Sequence, residues 1–382
     1  MNRRVLAILF VSLAIAMSFQ LGRAVPADTV AGAGWDTVGS LERPRAYARA
    51  VPLATGEILV VGGLDQNDPE VTSYVSELID PATGRITLLP QALLGRVNQT
   101  VTAGWGGRVV VIGGTEFRRG ALDTTYWAPV DRVEVFIPDS RTWLVGAPLI
   151  DERSDHGATA LADGRILVTG GNQGTRLVRT TEIYDPSRDL WTPAAPMPRG
   201  RTQFSIATLP DGRVLVAGGF REDGRLTIST LLYDPARDAW SEGPQMLDAR
   251  LNHSMVALPG GDVLFVGGES YGSATAERYD FRKNKFTDAG RLASPRLVAQ
   301  AALLGDGRVL LTGGLAVPGR GGFRPLVETE IWDPRTGAWD ATTNAPSARA
   351  YGTLVRTELG LFRVSGSGDE QAPVRTVERF RW

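Results

Sequence analysis

The chain repeats one pattern of apolar and polar positions along most of its length. Six apolar runs end in a pair of glycines, whose first members are Gly62, Gly113, Gly170, Gly218, Gly267 and Gly313. A weaker seventh copy ends in Ser365-Gly366. Short apolar runs bounded by turn residues are typical of buried strands, and a period of about 50 residues is typical of repeat architectures. We therefore count seven repeats, with six as the alternative.

Each repeat also carries an arginine ahead of an alternating strand, and this strand precedes the apolar run. Three repeats have an explicit turn between the two strands, at Asp163-Gly164, Asp211-Gly212 and Asp306-Gly307. Such a turn predicts a hairpin, because glycine accepts the positive φ of a type I′ turn. The arginines are Arg45, Arg96, Arg153, Arg201, Arg250, Arg296 and Arg349.

Two further strands follow each glycine pair. The third strand ends at Asp-Pro in several repeats, as at Asp185-Pro186 and Asp333-Pro334, because proline cannot donate to a strand ladder. The fourth strand opens with an aromatic residue in five repeats, whereas the first repeat lacks one near Ile86. Four strands in about 50 residues make one blade of a β-propeller. The aromatic residues are Trp143, Trp191, Trp240, Phe286 and Trp339.

The two ends of the chain complement each other. The last repeat stops after a third strand at 376–380, and the chain opens with an unassigned fourth strand at 35–38. Their pairing removes exposed edges. The sequence thus predicts an all-β fold, a seven-bladed β-propeller (six-bladed as the alternative) whose ring is closed by the N-terminal strand completing the last blade. The propeller spans 35–382, with blades at about 45–90, 96–145, 153–195, 201–243, 250–289, 296–341, and 349–382 plus 35–38.

On these motifs the sequence resembles the kelch-repeat family, and distantly its galactose-oxidase-like members. The glycine pair, the Tyr/Trp-Asp-Pro strand end and the following tryptophan carry the resemblance, which covers essentially the whole mature chain. It is specific for the fold and weak for function, because kelch propellers include enzymes, sugar binders and protein-docking scaffolds.

The N-terminus has the pattern of a signal peptide over residues 1–24. Arg3 and Arg4 precede an apolar run, and small residues follow it. The run is shorter than the roughly 20 residues that span a bilayer, so we predict cleavage, no membrane insertion afterwards, and a secreted or periplasmic protein.

The net charge is -1, with no basic patch for nucleic acid. The chain has no cysteine, which excludes disulfides and thiolate metal sites.

A second series of residues lies two positions after the arginines, and six of its seven members can form hydrogen bonds. Strand direction places both series on the face that carries the loops after Gly-Gly, at the mouth of the central channel. Arginine binds anions in a bidentate manner, so these rings suit a carboxylated or phosphorylated sugar or an acidic peptide. The second series is Tyr47, Asn98, Asp155, Gln203, Asn252, Val298 and Tyr351.

Each of these features also has a structural interpretation. An arginine in every repeat is equally explained as a fixed element that donates to carbonyls of the neighbouring blade. His156 and His253 each lie three residues after their arginine, which favours a structural role over metal ligation.

The acidic loop 64–70 lacks the spacing of a calcium loop. No metal site and no cofactor is predicted. The loops at 115–130 and 315–327 combine arginines with aromatic residues, which is typical of interaction surfaces but also of solvated loops.

The leading hypothesis is an exported binding or scaffold protein that engages an unknown protein or glycan through its arginine-ringed face. The alternative is a carbohydrate-active enzyme, which two kelch subfamilies suggest. The resemblance to copper radical oxidases implies a tyrosine crosslinked to cysteine, and this chain has no cysteine. The resemblance to sialic-acid epimerases implies six blades rather than seven, with Asp155 or the histidines as the acid–base groups. No catalytic residue is assigned, and an enzyme is the less favoured hypothesis.

Overall fold

Nearly all regular structure in the chain is β-strand. The computed structural model describes residues 16–17, 33–65, 74–89, 95–119, 125–268, 274–316, 323–368 and 372–382. In these ranges the one helix is the 3-10 helix Trp105–Gly107. Their strands form seven sheets of four antiparallel strands, one of which carries a fifth, parallel strand, and five shorter ribbons. The predicted all-β class is confirmed.

Six sheets each take four strands from one repeat, in the order inner, second, third and outer. Sheet 1 is Arg49–Pro52, Ile58–Val61, Glu77–Ile79 and Ile86–Leu88, and sheet 2 is Thr100–Ala103, Val109–Ile112, Val133–Ile137 and Thr142–Gly146. Sheet 3 is Gly157–Ala160, Ile166–Thr169, Thr181–Asp185 and Leu190–Ala194, and sheet 4 is Ser205–Thr208, Val214–Ala217, Thr230–Asp234 and Ala239–Glu242. Sheet 5 is Ser254–Ala257, Val263–Val266, Thr275–Asp280 and Lys285–Arg291, and sheet 6 is Gln300–Leu303, Val309–Thr312, Thr329–Trp332 and Trp339–Ala341.

Sheet 7 joins the two ends of the chain. Its strands are Thr353–Thr357, Gly360–Val364, Thr376–Arg381 and, on the outside, Gly34–Ser40. Trp35 lies opposite Phe380 and Thr37 lies opposite Glu378 in an antiparallel ladder. The pairing of the N-terminal strand with the last repeat is therefore observed, as the sequence predicted.

The shorter ribbons lie beside the arginines or in the loops after the glycine pairs. They are Arg45–Ala46 with Leu64–Asp65, Thr115–Arg119 with Thr125–Pro129, Asn172–Gln173 with Arg176–Leu177, Arg201–Thr202 with Phe220–Arg221, and the three strands Arg296–Leu297, Leu315–Ala316 and Arg324–Pro325. Arginine segments thus pair with the loops after Gly-Gly, on the side that strand direction predicted.

One backbone hydrogen bond recurs between consecutive sheets. The second residue of each glycine pair donates its N–H to the carbonyl of the next repeat's arginine, as Gly114 does to Arg153 at 2.9 Å. The same bond runs from Gly366 in sheet 7 to Arg45 in sheet 1, at 3.2 Å. These second residues have positive φ, between 75° and 123°, which explains why glycine is needed there.

The hydrophobic core is divided into clusters between neighbouring sheets. One cluster packs Leu215 of sheet 4 against Phe265 of sheet 5, and another packs Val60 of sheet 1 against Phe362 of sheet 7. The aromatic residue that opens the outer strand often crosses the gap, as where Trp191 Nε1 donates to the Ala147 carbonyl at 2.8 Å. Burial between sheets therefore stabilises the fold.

Most of the predicted signal peptide lies outside the described residues. The exception is the two-residue strand Ala16–Met17, which pairs in parallel with Ile206 and Ala207 of the inner strand of sheet 4. No helix in the described part of the chain is long and apolar enough to cross a membrane.

Candidate functional site

All seven arginines of the repeat are buried inside the protein, with exposed fractions of 2% or less. In every repeat the Nη1 atom donates to the carbonyl of the first residue of the same repeat's glycine pair, at 2.9–3.4 Å; Ser365 takes that place in sheet 7. The guanidiniums thus bind carbonyls of their own repeat, whereas the structural interpretation assumed the neighbouring blade. Their main-chain carbonyls make the contact between sheets.

Six of these arginines also pair with a buried glutamate from the third strand of the same sheet. Arg153 Nη2 lies 2.5 Å from Glu182 Oε1, and Arg45 Nη2 lies 2.7 Å from Glu77 Oε1. Burial lowers the pKa of Arg153, and the charge of Glu182 opposes that shift. The other pairs are Arg96–Glu134, Arg250–Glu277, Arg296–Glu330 and Arg349–Glu378.

Arg201 in sheet 4 differs from the other six. Leu231 lies opposite Val216, at the position where the other sheets have glutamate. Arg201 instead donates to the carbonyl and the hydroxyl of Ser229, at 3.0 and 3.2 Å. Burial, and secondarily the nearby Arg221, lower the pKa of Arg201 to about 10.

The guanidiniums are therefore bound to protein groups of their own repeat, and the residues that follow the arginines share a second feature. Two positions after each arginine, the backbone has positive φ in all seven repeats, between 49° and 61°. Residues other than glycine seldom adopt this conformation, and its presence in every repeat shows that the backbone of the repeat requires it. We call this the left-handed set: Tyr47, Asn98, Asp155, Gln203, Asn252, Val298 and Tyr351.

Members of the left-handed set touch one another from sheet to sheet. The N–H of Asp155 donates to the Asn98 carbonyl at 3.3 Å, and that of Asn252 to the Gln203 carbonyl at 3.2 Å. Tyr47 of the first repeat and Tyr351 of the seventh pack against each other, with their ring centroids 4.6 Å apart and their planes tilted by 46°. These contacts join residues that are distant in sequence, and only the two tyrosines of the set are more than 8% exposed at this surface.

Burial perturbs the two phenols of this surface. It raises the pKa of Tyr351 to about 12. It also raises the pKa of Tyr47, and repulsion between the two phenolates adds to that shift. Both hydroxyls therefore stay protonated at neutral pH and can donate hydrogen bonds.

One positive and one negative charge lie at the same surface. Arg49 begins the inner strand of sheet 1 and is 8% exposed, and its Nε donates to the Gln99 carbonyl at 3.4 Å. Burial lowers the pKa of Arg49 to about 10, and the carboxylate of Asp155 opposes that shift. Asn172 Nδ2 donates to Asp155 Oδ2 at 2.9 Å and so fixes that carboxylate.

Sequence reasoning missed Arg49, although a signal was available. It lies four residues after the arginine of its repeat, where the other six repeats have uncharged residues such as Thr100, Ser205 and Gln300. A charge at the first position of an inner strand is the exception to the pattern.

Three buried side-chain oxygens of this region lack a partner among the described residues: Asn98 Oδ1, Gln99 Oε1 and Gln300 Oε1. Buried polar atoms are almost always hydrogen-bonded to protein, water or ligand. Each of these oxygens has almost no accessible surface, so they are polar atoms of the interior rather than acceptors open to a partner.

The two histidines are packed between sheets. His156 Nε2 lies 2.9 Å from the Thr100 hydroxyl, and His253 lies against Phe265 with ring centroids 5.7 Å apart. Burial, and then the nearby Arg250, lower the pKa of His253 to about 3. Burial and neighbouring arginines also hold the pKa of His156 well below its usual value. Among the described residues no group of three or more histidines and carboxylates could hold a metal ion.

The loops of the same face carry exposed aromatic residues. In the ribbon of sheet 2, Phe117 meets Trp127 edge-on at 5.1 Å, and Trp127 is 40% exposed. Tyr126 and Phe323 are also exposed. Most of the acidic loop at 64–70 lies outside the described residues, as do 120–124 and 317–322 of the two long loops.

Comparisons with known proteins agree with this fold. The Kelch motif family model matches residues 153–198. Among solved structures, the chain is similar to a novel fungal alcohol oxidase of the AA5 family in complex with copper, with a TM-score of 0.71, 19% identity, and 91% of this chain and 76% of that one covered. It is also similar to YjhT, with a TM-score of 0.55, 12% identity, and 88% and 95% covered. No curated protein gives a significant match.

These matches confirm the predicted resemblance to kelch-repeat, galactose-oxidase-like β-propellers. At identities this low, the likeness to the two solved structures concerns the fold alone. The site must therefore be interpreted from its own residues.

Proposed function

We propose that this kelch-type propeller is a binding or scaffold protein that acts outside the cytoplasm. It engages a protein or glycan partner through the left-handed set. The observation that carries the proposal is the recurrence of seven left-handed residues, six of them able to form hydrogen bonds, several of which contact one another between sheets. The left-handed backbone itself favours asparagine and aspartate, but it does not account for Tyr47, Gln203 and Tyr351.

In this proposal the seven sheets are the blades of a closed ring. The recurrent bond from a glycine N–H to the next arginine carbonyl supports it, because it also joins Gly366 to Arg45. The ladder between Gly34–Ser40 and Thr376–Arg381 supports it as well, because it covers an edge that would otherwise be exposed. A closed ring explains why the site can draw on every repeat.

The chemistry of the site favours an uncharged polar partner. The guanidinium of Arg49 is offset by the carboxylate of Asp155. The remaining members offer amides and protonated phenols, which suit the hydroxyls of a sugar or the backbone of a peptide. The buried arginines of the repeat are already bound to protein groups, so they do not favour an acidic ligand. Export rests on the signal-peptide pattern of residues 1–24.

The test is a glycan array followed by binding isotherms on the purified protein. Asn98→Ala and Gln203→Ala remove two amides of the left-handed set, and each is expected to weaken binding about tenfold, the loss of one or two hydrogen bonds. Arg213→Ala is the matched control, because it lies in the Asp-Gly turn predicted on the opposite face. If no glycan binds, a photocrosslinker at Gln203 tests for a protein partner.

Equal binding by all three variants would contradict the site. Capture of a protein that does not depend on Asn98 and Gln203 would contradict it as well. The carbohydrate-active enzyme remains the second candidate, because a carboxylate, Asp155, is held in place at the site by Asn172. Turnover of a bound glycan that Asp155→Asn abolishes, with binding retained, would favour that candidate.

A further inference from the structure

The outer strands of the sheets carry features that prevent pairing with other chains. Exposed edges are commonly protected by short length, charge, proline or a β-bulge. The outer strand of sheet 3 has Pro193, that of sheet 4 has Glu242, and that of sheet 6 has Asp340. The outer strands of sheets 5 and 7 have charges and a register shift, and that of sheet 1 has three residues.

Sheet 2 is the exception among the outer strands that the structure describes. Its outer strand, Thr142–Gly146, is five residues long with no charge, no proline and no register shift. Leu144 is 47% exposed and Val145 is 73% exposed. An exposed apolar edge of this kind is costly to leave in water, which indicates that something covers it.

Trp143 and the end of this strand are held by neighbouring sheets. Trp143 packs on Phe136 with ring centroids 5.0 Å apart, and its Nε1 donates to the Ser76 hydroxyl of sheet 1 at 3.1 Å. At the strand's end, the Ala147 N–H donates to Asp189 Oδ1 of sheet 3 at 2.8 Å. In the described part of the chain no strand pairs with the outer edge of Thr142–Gly146.

Charges of opposite sign lie at the two ends of the strand. Arg141 precedes it, is 45% exposed and pairs with Glu57 at 3.0 Å. The exposed Asp189 lies against its end, where Asp189 Oδ1 accepts from the Ala147 N–H and the Tyr184 hydroxyl. When two copies of a strand pair antiparallel, the start of each lies beside the end of the other. Arg141 of one copy would then face Asp189 of the other, so the edge is complementary to itself.

We propose that Thr142–Gly146 pairs antiparallel with the same strand of a second copy of this chain. The two sheets would form one continuous eight-stranded sheet across a two-fold axis, the self-complementary arrangement expected of a symmetric dimer. The dimer holds two left-handed sets in one particle. It does not depend on the function proposed for them.

The repeat itself supplies the test variants. Counted from the tryptophan, the position of Val145 is occupied by Pro193 in sheet 3 and by Glu242 in sheet 4. Val145→Glu and Val145→Pro therefore introduce residues that protect the outer strands of sheets 4 and 3. Sedimentation velocity over a range of concentrations is expected to show a dimer for the wild type and at least a tenfold weaker association for both variants. Glu242→Gln, in the outer strand of sheet 4, is the control and should associate as the wild type does.

Amide hydrogen exchange locates the contact. Residues 142–146 should exchange more slowly as the protein concentration rises, and this dependence should vanish in Val145→Glu. A wild type that is monomeric at every concentration overturns the proposal. A dimer in which 142–146 are not protected, or which Val145→Glu leaves intact, overturns it as well. The melting temperature of each variant shows that it is folded.

Discussion

The carboxylate of Glu378 is shared by two buried arginines. Its Oε1 lies 2.8 Å from Arg349 Nη2, and its Oε2 lies 3.3 Å from Arg363 Nη1. Both arginines have no exposed surface. Arg363 stands where the other repeats have apolar residues such as Val216 or Phe265, and burial, then Arg349, lower its pKa well below the usual value. Glu378 therefore stabilises more positive charge than any other glutamate of the repeat.

Replacement of Glu378 should cost more than replacement of its counterpart in sheet 6. Glu378→Gln leaves two buried guanidiniums without their carboxylate, and removal of one partner of a buried pair costs about 3–5 kcal/mol. Glu330→Gln is the control, because the carboxylate of Glu330 forms an ion pair with one arginine, Arg296. Urea unfolding at pH 7 measures both, and equal losses of unfolding free energy would contradict the shared role.

Loss of an arginine should depend on whether it has a glutamate partner. Arg153→Met leaves Glu182 buried and unpaired, with an expected cost of about 3–5 kcal/mol. Arg201→Met leaves no carboxylate behind, since Leu231 stands in its place, and the cost should be smaller. Thermal unfolding of both variants checks this order. A larger loss of stability in Arg201→Met than in Arg153→Met would contradict the prediction.

His253 should make the fold sensitive to acid. Its pKa is about 3 in the folded protein and about 6.5 when unfolded, so the unfolded state alone binds this proton in the interval between them. Stability is therefore complete above pH 6.5 and is lost as the pH falls toward 3, by about 1.4 kcal/mol per unit. His253→Phe copies Phe204, the residue at the same position in sheet 4.

The slope of unfolding free energy against pH, between pH 6 and 4, should therefore be smaller by about one proton in His253→Phe than in the wild type. His156 is present in both proteins, so its own proton does not contribute to the difference. The same slope in both proteins would show that His253 is not buried in its neutral form.

The left-handed set should tolerate glycine better than valine. Asn98 has a φ of 58°, a conformation that is strained by about 1–2 kcal/mol for residues with a Cβ and most of all for β-branched ones. Asn98→Val should therefore be less stable than Asn98→Gly by about that amount. Thermal unfolding of the two variants compares them directly. Equal stability would show that the backbone relaxes out of this conformation.

Much of the fold follows from the sequence because the determining signals are local. Apolar alternation, Asp-Gly turns and strand-ending prolines act within a few residues, so they indicate four strands per repeat wherever they recur. The pairing of Trp35 with Phe380 was predictable as well, since an unpaired edge strand at each end of the chain needs a partner. Even the first repeat, which lacks the aromatic residue, forms its outer strand at Ile86–Leu88.

What each recurrent side chain does was decided only by the tertiary structure. The spacing placed an arginine in every repeat, but its glutamate partner lies about 30 residues further along the chain, as Glu182 does from Arg153. The approach of Arg49 to Asp155 across different sheets also has no local signal. The sequence by itself determined the repeat and its strands, because those depend on neighbouring residues. Burial and charge pairing between distant segments determined which side chains support the fold.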